Sequence, residues 1–392
     1  MAFPFQRHSR ATLVAGAAAA GLLILGASGT AFALTGTFSS APAHVAAIGN
    51  GEGAPHWTVT KQTATSQNVK GAVKGAVTAD SPAAGLPTYA YVAVAGGGEV
   101  LKVDIATGAF VASYSDDTGE GVAITPSGAT AYIASTGQYD VVAASTTTGA
   151  ETSIKVGAYP QDVAVSPDGS TVYATVTGGD TGPGGSDQVA VISTATNTVT
   201  GDITVGNAPR QVVFSPDGSR AYVTTSTGIY VINTATSRVV RVIRDSSDPQ
   251  GIAVSPDGST LYVTNPDAGT LWQISAASGR VEGVVAAGAE PYSVTITPSG
   301  SAVYVADENS NSVDVISAAT GRVTGSISVQ GLPMSIAATP DGSQVWVGNG
   351  YTGSISVIST ATNTVTDTIS GGGQATALNS AITDIAFGPA AS

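Results

Sequence analysis

From about residue 88 to the C-terminus, short apolar runs alternate with turns rich in Pro, Gly, Ser and Asp. In these turns Pro presets φ, Asp or Ser can hydrogen-bond locally, and Gly can take a positive φ, so each predicts a tight turn between two strands. The prolines follow one another at intervals of 41, 49, 40, 42 and 42 residues. The six turns are residues 125–128, 166–169, 215–218, 255–258, 297–300 and 339–342.

A second turn recurs later in each unit, as in residues 192–199 and 316–323. Asn197 and Gly321 stand where a short hairpin needs the left-handed conformation. Each unit therefore contains four strands: A before the first turn, B after it, and C and D around the second turn. Four antiparallel strands in a period of roughly 40–45 residues are typical of a β-propeller blade.

The two ends of the repeat region complete each other. Residues 88–115 begin at a B strand and lack an A strand, whereas residues 382–389 resemble an A strand and then stop. One blade assembled from both ends removes an exposed sheet edge. The pattern predicts an all-β, seven-bladed propeller of four-stranded antiparallel blades over residues 86–392, closed by a C-terminal strand that joins the N-terminal blade.

The B strands carry a family motif. Residues 262–265 read YVTN, and residues 222–225, 304–307, 132–135 and 346–349 are variants at the same place. The chain resembles the YVTN-repeat (YncE-like) β-propellers over about residues 88–389. This resemblance implies the fold and leaves the function open, since the family includes surface-layer proteins and binding modules. We expect the repeated Tyr to pack between neighbouring blades.

The N-terminus has the pattern of an export signal. Arg7 and Arg10 precede an apolar stretch, and the small residues Ala31 and Ala33 predict cleavage after Ala33. We interpret residues 1–33 as a signal peptide and residues 34–85 as a flexible, low-complexity tether. The alternative, an uncleaved anchor, is disfavoured because the apolar run is short for a bilayer span. We expect a secreted or wall-associated protein with no membrane span after cleavage.

Charge and composition narrow the chemistry. The formal charge of −13 disfavours nucleic acid as a partner. Cysteine is absent, and the three histidines all precede residue 57, so the propeller has no haem-ligating, triad or thiol chemistry. Carboxylates at the channel mouth could still bind a divalent ion, and calcium is the candidate because it prefers oxygen ligands. The metal site is not identified, and otherwise we expect no cofactor.

The topology predicts one strongly acidic face. The D-to-A and B-to-C loops share it, and Arg210 and Arg244 are the main opposing cations. We predict that residues just after the D-to-A turns line a ligand pocket there, because they occupy matching positions in successive blades yet differ in chemistry. They are Glu120, Gln161, Arg210, Gln250, Tyr292 and Met334. Ordinary solvated loops are the alternative. Fourteen of the 27 acids fall on this face: Glu99, Asp116, Asp117, Glu120, Asp140, Asp162, Asp180, Asp187, Asp245, Asp248, Asp267, Glu290, Asp307 and Glu308.

Two irregularities interrupt the repeat. Residues 178–187 form an insertion between strands B and C of the third blade, which is either a tolerated loop or a calcium loop through Asp180 and Asp187. Residues 210–244 hold five of the nine arginines. That cluster is either scattered solvated charge or a docking patch for an anionic polymer.

These observations favour a monomeric, extracellular, non-enzymatic binding or scaffold protein that presents its acidic loop face to a ligand or cell-envelope partner. No catalytic residue is assigned. The first alternative is a metal-dependent, lactonase-like hydrolase with carboxylates at the channel mouth. The second alternative is a structural component of the cell envelope.

Overall fold

A computed structural model describes residues 88–95, 98–115, 119–178, 187–244, 248–370 and 381–389, together with the backbone of two short strands near the N-terminus. The chain divides into two units, residues 1–74 and 75–392. In the first unit, β1 (Leu22–Leu25) pairs antiparallel with β2 (Ala31–Leu34). These two strands lie within the predicted signal peptide or at its end. The predicted tether after residue 34 lies outside the described residues.

The second unit contains seven four-stranded sheets, and the prediction of a seven-bladed propeller is confirmed. Blade 1 consists of β30 (Ile382–Phe387), β3 (Tyr89–Val94), β4 (Glu99–Asp104) and β5 (Phe110–Ser115). Blade 2 consists of β6 (Gly119–Ile124), β7 (Thr130–Ser135), β8 (Asp140–Ser145) and β9 (Glu151–Lys155). Blade 3 consists of β10 (Tyr159–Val165), β11 (Thr171–Thr177), β12 (Gln188–Ser193) and β13 (Thr198–Thr204).

The remaining blades repeat this order of strands A to D. Blade 4 consists of β14 (Val212–Phe214), β15 (Arg220–Thr225), β16 (Gly228–Asn233) and β17 (Arg238–Arg244). Blade 5 consists of β18 (Ile252–Val254), β19 (Thr260–Asn265), β20 (Thr270–Ser275) and β21 (Val281–Ala286). Blade 6 consists of β22 (Pro291–Ile296), β23 (Ala302–Asp307), a 3-10 turn at Glu308–Ser310, β24 (Ser312–Ser317) and β25 (Arg322–Ser328). Blade 7 consists of β26 (Pro333–Ala338), β27 (Gln344–Asn349), β28 (Ser354–Ser359) and β29 (Thr364–Ser370).

Burial decides the role of each strand. The B strand β19 is buried from Leu261 to Asn265, whereas the D strand β21 is exposed at most positions. A strand buried on both faces reads as a continuous apolar run, and an outer strand tolerates polar residues. B and C are therefore the packed middle of each blade, and D is its outer edge. The A strands of successive blades contact one another around the centre.

The repeated aromatic residue of the B strand packs against the next blade, as expected. Tyr262 of blade 5 clusters with Val294 and Val303 of blade 6. Trp346 of blade 7 clusters in the same way with Val92 and Ile385 of blade 1. Seven such clusters, one at each blade boundary, form the core of the described propeller.

The C-terminal strand closes the ring. β30 pairs antiparallel with β3, and their ends are joined by Ala95 N–H to Ala381 O at 2.9 Å and Gly388 N–H to Tyr89 O at 3.0 Å. β30 also contacts the A strands of blades 2 and 7. No sheet edge is left facing the ring at this boundary, which is how a propeller avoids an open terminal blade.

The first recurring turn has the predicted chemistry. In blade 5, Ser255 Oγ donates to Asp257 Oδ1 at 2.5 Å, and Gly258 has a φ of 73°. The hydrogen bond from the Ser255 hydroxyl, followed by those from Ser259, favours the ionised carboxylate and lowers the pKa of Asp257 to about 2. The turn is therefore held by an aspartate that is charged at neutral pH.

Blade 6 carries a buried carboxyl group at the last position of the YVTN motif. Asp307 is fully buried, and neither of its side-chain oxygens has a hydrogen-bond partner of good geometry among the described residues, although the backbone N–H groups of Gly288 and Asp314 lie close enough to lower its pKa. At the same position of blade 7, Asn349 Nδ2 donates to Ser354 O and to Ser356 Oγ, each at 3.0 Å. Asp314 stands in blade 6 where blade 7 has Ser356. Burial, followed by the charge of Asp314, raises the pKa of Asp307 to about 8.

We predict that Asp307→Asn makes the folding stability less dependent on pH. Since the folded pKa is raised, the contribution of Asp307 is fully present below about pH 4 and is lost as pH rises toward 8. The variant should gain more than about 1 kcal/mol over the wild type at pH 8, and much less at pH 4. Denaturant unfolding at both pH values measures this, with the exposed Glu282→Gln as the control. Equal gains at the two pH values would contradict the account.

Candidate functional site

A cavity of about 280 Å³ opens where the seven A strands begin. Each strand, or one of the two residues before it, contributes a side chain, because each D-to-A connection ends at the same face of the propeller. A concave site with several converging polar groups is the usual form of a small-molecule site. The cavity is lined by Glu120, Gln161, Asp162, Arg210, Gln211, Gln250, Gly251, Tyr292, Ser293, Met334, Thr383 and Asp384.

All six residues predicted to line a pocket lie on this one cavity. The seventh member, Thr383 of blade 1, was missed. Its signal was present in the sequence, because Thr383-Asp384-Ile385 aligns with Gln161-Asp162-Val163 once residues 382–389 are recognised as an A strand. We call these seven the mouth residues: Thr383, Glu120, Gln161, Arg210, Gln250, Tyr292 and Met334. That they bind a ligand remains a prediction.

The residue after each mouth residue forms a second tier, which sequence reasoning did not identify. In three blades its side chain accepts a hydrogen bond from a backbone N–H of the next A strand. Asp384 Oδ2 accepts from Val122 at 2.8 Å, and Asp162 Oδ2 accepts from Val212 at 2.9 Å. Gln211 Oε1 accepts from Ile252 N–H at 2.7 Å. These bonds fix the angle between blades directly beneath the mouth.

Glycines occupy the second tier where a neighbour comes too close for a side chain. A Cβ on Gly121 would lie 2.7 Å from Asp162 Oδ1 and 2.8 Å from Asp162 Cα. A Cβ on Gly251 would lie 2.7 Å from the carbonyl oxygen of Tyr292. Contacts this short do not occur for real side chains, so these glycines permit the close approach of adjacent A strands.

The threonine of the YVTN motif fixes the backbone of the mouth. Thr264 Oγ1 accepts from Gly251 N–H at 2.8 Å within blade 5 and donates to Tyr292 O of blade 6 at 2.8 Å. Thr224 Oγ1 donates to Gln250 O at 2.8 Å, and Thr175 Oγ1 donates to Arg210 O at 2.6 Å. The backbone of each of these three mouth residues is therefore bonded to the preceding blade, which fixes the position of its Cα.

Two second-tier acids titrate abnormally. Burial raises the pKa of Asp162 well above the ordinary aspartate value, and the charge of Asp384 raises it further. Burial also raises the pKa of Asp384. Both side chains retain some exposure at the cavity. Asp162 therefore keeps its proton to a higher pH than a surface aspartate, and the pair brings less negative charge into the cavity than its formal −2.

Arg210 and Tyr292 supply the main donors of the mouth. Arg210 is held by Asp248, with Nη2 to Oδ2 at 2.7 Å and Nη1 to the Asp248 carbonyl oxygen at 3.1 Å. Burial is the largest cause that raises the pKa of Tyr292, followed by the charge of Glu308, while Arg210 lowers it. The phenol therefore remains a hydrogen-bond donor at neutral pH.

Parts of the predicted acidic face lie outside the described residues, namely Asp116, Asp117, Asp180 and Asp245. The same is true of residues 179–186 of the predicted calcium loop. The two ends of that loop are joined, since Gly178 N–H donates to Asp187 Oδ1 at 3.0 Å. In the described part of the chain, no three His, Cys, Asp or Glu side chains are grouped in a way that could hold a metal ion. No helix there is long and apolar enough to span a bilayer.

Comparison with known families finds one model that matches more than half of the chain. The model is described as "Lactonase, 7-bladed beta-propeller" and matches residues 109–331 of the 392. None of the curated proteins matches the chain significantly. The family match agrees with the blade count of the structure.

Solved structures share the fold at low identity. A chain of Kuenenia stuttgartiensis hydrazine synthase superposes with a TM-score of 0.63 at 22% identity, covering 74% of this chain and 99% of that one. A functionally unknown protein from Desulfotomaculum acetoxidans gives a TM-score of 0.65 at 14% identity, covering 78% of this chain and 100% of that one. At such identities the likeness concerns the fold alone.

We predict that Gly121→Ala destabilises the propeller by about 1–3 kcal/mol, because the added methyl group meets backbone and carboxyl atoms of Asp162. The matched control is Gly201→Ala, a strand glycine whose Cβ would meet nothing within 4 Å. The control should leave stability unchanged or slightly higher, since Ala costs less backbone entropy than Gly. Thermal unfolding measures both. Equal midpoints for the two variants would show that the second tier is loosely packed.

Proposed function

The chain belongs to the lactonase, seven-bladed β-propeller family, and on that premise we propose that it binds a small hydroxyl-rich molecule at its channel mouth. The observation that carries the proposal is the convergence of all seven mouth residues on one cavity. Packing demands a similar residue in every blade, as the B-strand aromatic shows. The mouth residues instead differ from blade to blade, and only Gln161 and Gln250 are of the same type. Such variation is expected where a ligand, and not packing, selects the residues.

The lining favours hydroxyl groups as the recognised chemistry. Gln161, Gln250 and Gln211 line the cavity, and an amide both donates and accepts hydrogen bonds, as a hydroxyl does. Tyr292 adds a phenol donor and an apolar ring face, and Met334 adds an adaptable apolar surface. A cavity of about 280 Å³ is close to the lower end of the range for small-molecule sites, which suits a single sugar or polyol.

The charges argue for an uncharged ligand. Arg210 is paired with Asp248 and so brings little net charge into the cavity. Burial raises the pKa of Asp162 well above the ordinary aspartate value and that of Asp384 to about 6, and Glu120 adds a third carboxyl group that would repel an anionic ligand. A strongly charged ligand would have to compete with these internal arrangements, whereas a neutral molecule with several hydroxyl groups would not.

We place this function outside the cytoplasm, and the basic, then apolar, then small-residue pattern of residues 1–33 supports that setting. Catalysis is not part of the proposal, since the propeller has no histidine or cysteine. The raised pKa of Asp162 does suit general acid-base chemistry, so a hydrolase of the lactonase kind is the second candidate. A structural role in the envelope, with no small ligand, is the third.

The test is a titration of the full chain with glucose, galactose, ribose, inositol and glucono-δ-lactone by isothermal calorimetry. We expect saturable binding of at least one of these compounds. Gln161→Ala and Gln250→Ala should each raise Kd roughly tenfold, because each removes one or two hydrogen bonds to the ligand. The control is Gln138→Ala, an exposed residue outside the cavity, which should leave Kd unchanged.

Three results would overturn parts of this proposal. Binding that survives both mouth variants would place the ligand elsewhere on the propeller. Hydrolysis of glucono-δ-lactone above the uncatalysed rate, followed by pH-stat titration and abolished by Asp162→Asn, would favour the hydrolase. Absence of binding by every compound would favour the structural role.

A further inference from the structure

A second cavity, of about 570 Å³, lies between blades 4 and 5 at the end of the blades opposite the mouth. We call it the arginine groove. Its walls are the first turn of blade 4, residues 215–219, and the second turn of blade 5, which includes Ala276 and Ala277. Arg220, Tyr222 and Arg241 complete the lining. It shares no residue with the mouth cavity.

Blade 4 departs from the repeat at both arginine positions. Arg220 is the first residue of its B strand, where blades 2, 3 and 5 have Thr130, Thr171 and Thr260. Arg241 pairs with Val231 in the D strand, where blades 3, 5 and 6 have Gly201, Gly283 and Gly325. The remaining blades have other residues at these two positions, such as Gln344 and Asp367 in blade 7, so packing of a blade does not require an arginine at either.

The tyrosine of the groove lacks the partner that two of its counterparts have. Tyr132 Oη donates to Asn197 Oδ1 at 2.7 Å, and Tyr304 Oη donates to Asn363 Oδ1 at 2.6 Å, in each case to the second turn of the next blade. The equivalent turn residue facing Tyr222 is Gly279, which has no side chain. Tyr222 is 3% exposed, and its hydroxyl makes no hydrogen bond to a described residue.

The two arginines are positioned but not neutralised. Arg220 Nη1 donates to Ser219 O at 3.0 Å, and Arg241 Nη1 donates to Ala277 O at 2.8 Å. Neither guanidinium lies within 4.0 Å of a described carboxylate. A guanidinium has five N–H donors, so each retains several for another acceptor. All three groups line the same cavity. Burial raises the pKa of Tyr222, the charges of Arg220 and Arg241 lower it, and the charge of Asp217 raises it.

Two aspartates lie at the rim, Asp217 and Asp257. Their oxygens already accept hydrogen bonds from the serines of their own turns, for example Ser219 Oγ to Asp217 Oδ2 at 2.8 Å and Ser259 Oγ to Asp257 Oδ2 at 2.9 Å. Asp217 also lines the groove between blades 3 and 4, which has no arginine. The aspartates therefore belong to the turns, and the arginines are what distinguishes the arginine groove.

We propose that the arginine groove binds a phosphate group through Arg220, Arg241 and the hydroxyl of Tyr222. The donor groups come from two strands, Arg220 and Tyr222 from β15 and Arg241 from β17, and a tetrahedral phosphate has enough oxygens to accept from all three at once. A planar carboxylate has two oxygens, which one guanidinium can occupy alone. The phosphate belongs either to a free ion or to a terminal phosphate group of a surface polymer, and each offers at least three unesterified oxygens to the groove.

The experiment measures how tightly the full chain binds inorganic phosphate, polyphosphate and acetate at low ionic strength. Calorimetry follows all three ligands, and ³¹P line broadening follows the two that contain phosphorus. Wild type should bind phosphate. Arg220→Thr and Arg241→Thr should each weaken binding roughly tenfold or more, because each removes charge-assisted hydrogen bonds. Tyr222→Phe keeps the packed ring and should weaken binding by a smaller factor. Arg322→Thr, an exposed arginine of blade 6, is the matched control and should bind as wild type does.

Thermal unfolding of each variant establishes that it folds. Equal loss of binding in the control, or acetate bound as tightly as phosphate, would overturn the proposal, as would absence of phosphate binding by the wild type. Polyphosphate bound more tightly per phosphate than the free ion would assign the site to a polymer. Equal affinity per phosphate would assign it to the free ion. Binding at the groove is independent of the mouth, so Gln161→Ala should not change it.

Discussion

Each blade buries its apolar face against the next, and the last blade has no partner unless it meets the first. This constraint governs the molecule. The aromatic residue of each B strand crosses the boundary, and the seventh boundary is completed by Trp346 against Val92 and Ile385. β30, supplied by the C-terminal end of the chain, completes the blade that Trp346 packs against. The core therefore depends on closure, because the apolar side chains at an unclosed boundary would be exposed to water.

Closure also explains why the channel mouth is free to vary. The second tier and the B-strand threonines fix the positions of the A strands. Thr264, for example, donates a hydrogen bond to Tyr292 O. Two mouth side chains also join neighbouring blades, since Thr383 Oγ1 donates to Gly119 O of blade 2 at 2.9 Å and Arg210 is bonded to Asp248. The mouth position nevertheless differs in residue type from blade to blade, so its identities can follow a ligand. The arginine groove differs from the groove between blades 3 and 4 in having Arg220 and Arg241 in its lining. There the turn of blade 5 has Gly279 where blade 3 has Asn197, and the hydroxyl of Tyr222 is left for an outside acceptor.

The blade count, the strand order, the closure and the six mouth residues could be predicted because each depends on local sequence repeated at a fixed period. What could not be predicted depends on distances between blades. In the sequence Gly121 is an ordinary strand glycine. Only the structure shows that a Cβ at this position would lie 2.7 Å from Asp162 Oδ1. Asp307 reads as a variant of the YVTN asparagine until the register places Asp314 near it. Thr383 was missed for a simpler reason, since the alignment of A strands was not extended to the C-terminal strand.

The central claim is that the seven mouth residues form one ligand site. The most direct measurement is a crystallographic soak of the full chain with a set of small polyols and sugars. The account predicts density for at least one compound in the cavity between the Gln161 and Gln250 amides, within hydrogen-bonding distance of both. Compounds found only outside this cavity, or none bound at concentrations that saturate typical sugar sites, would contradict it.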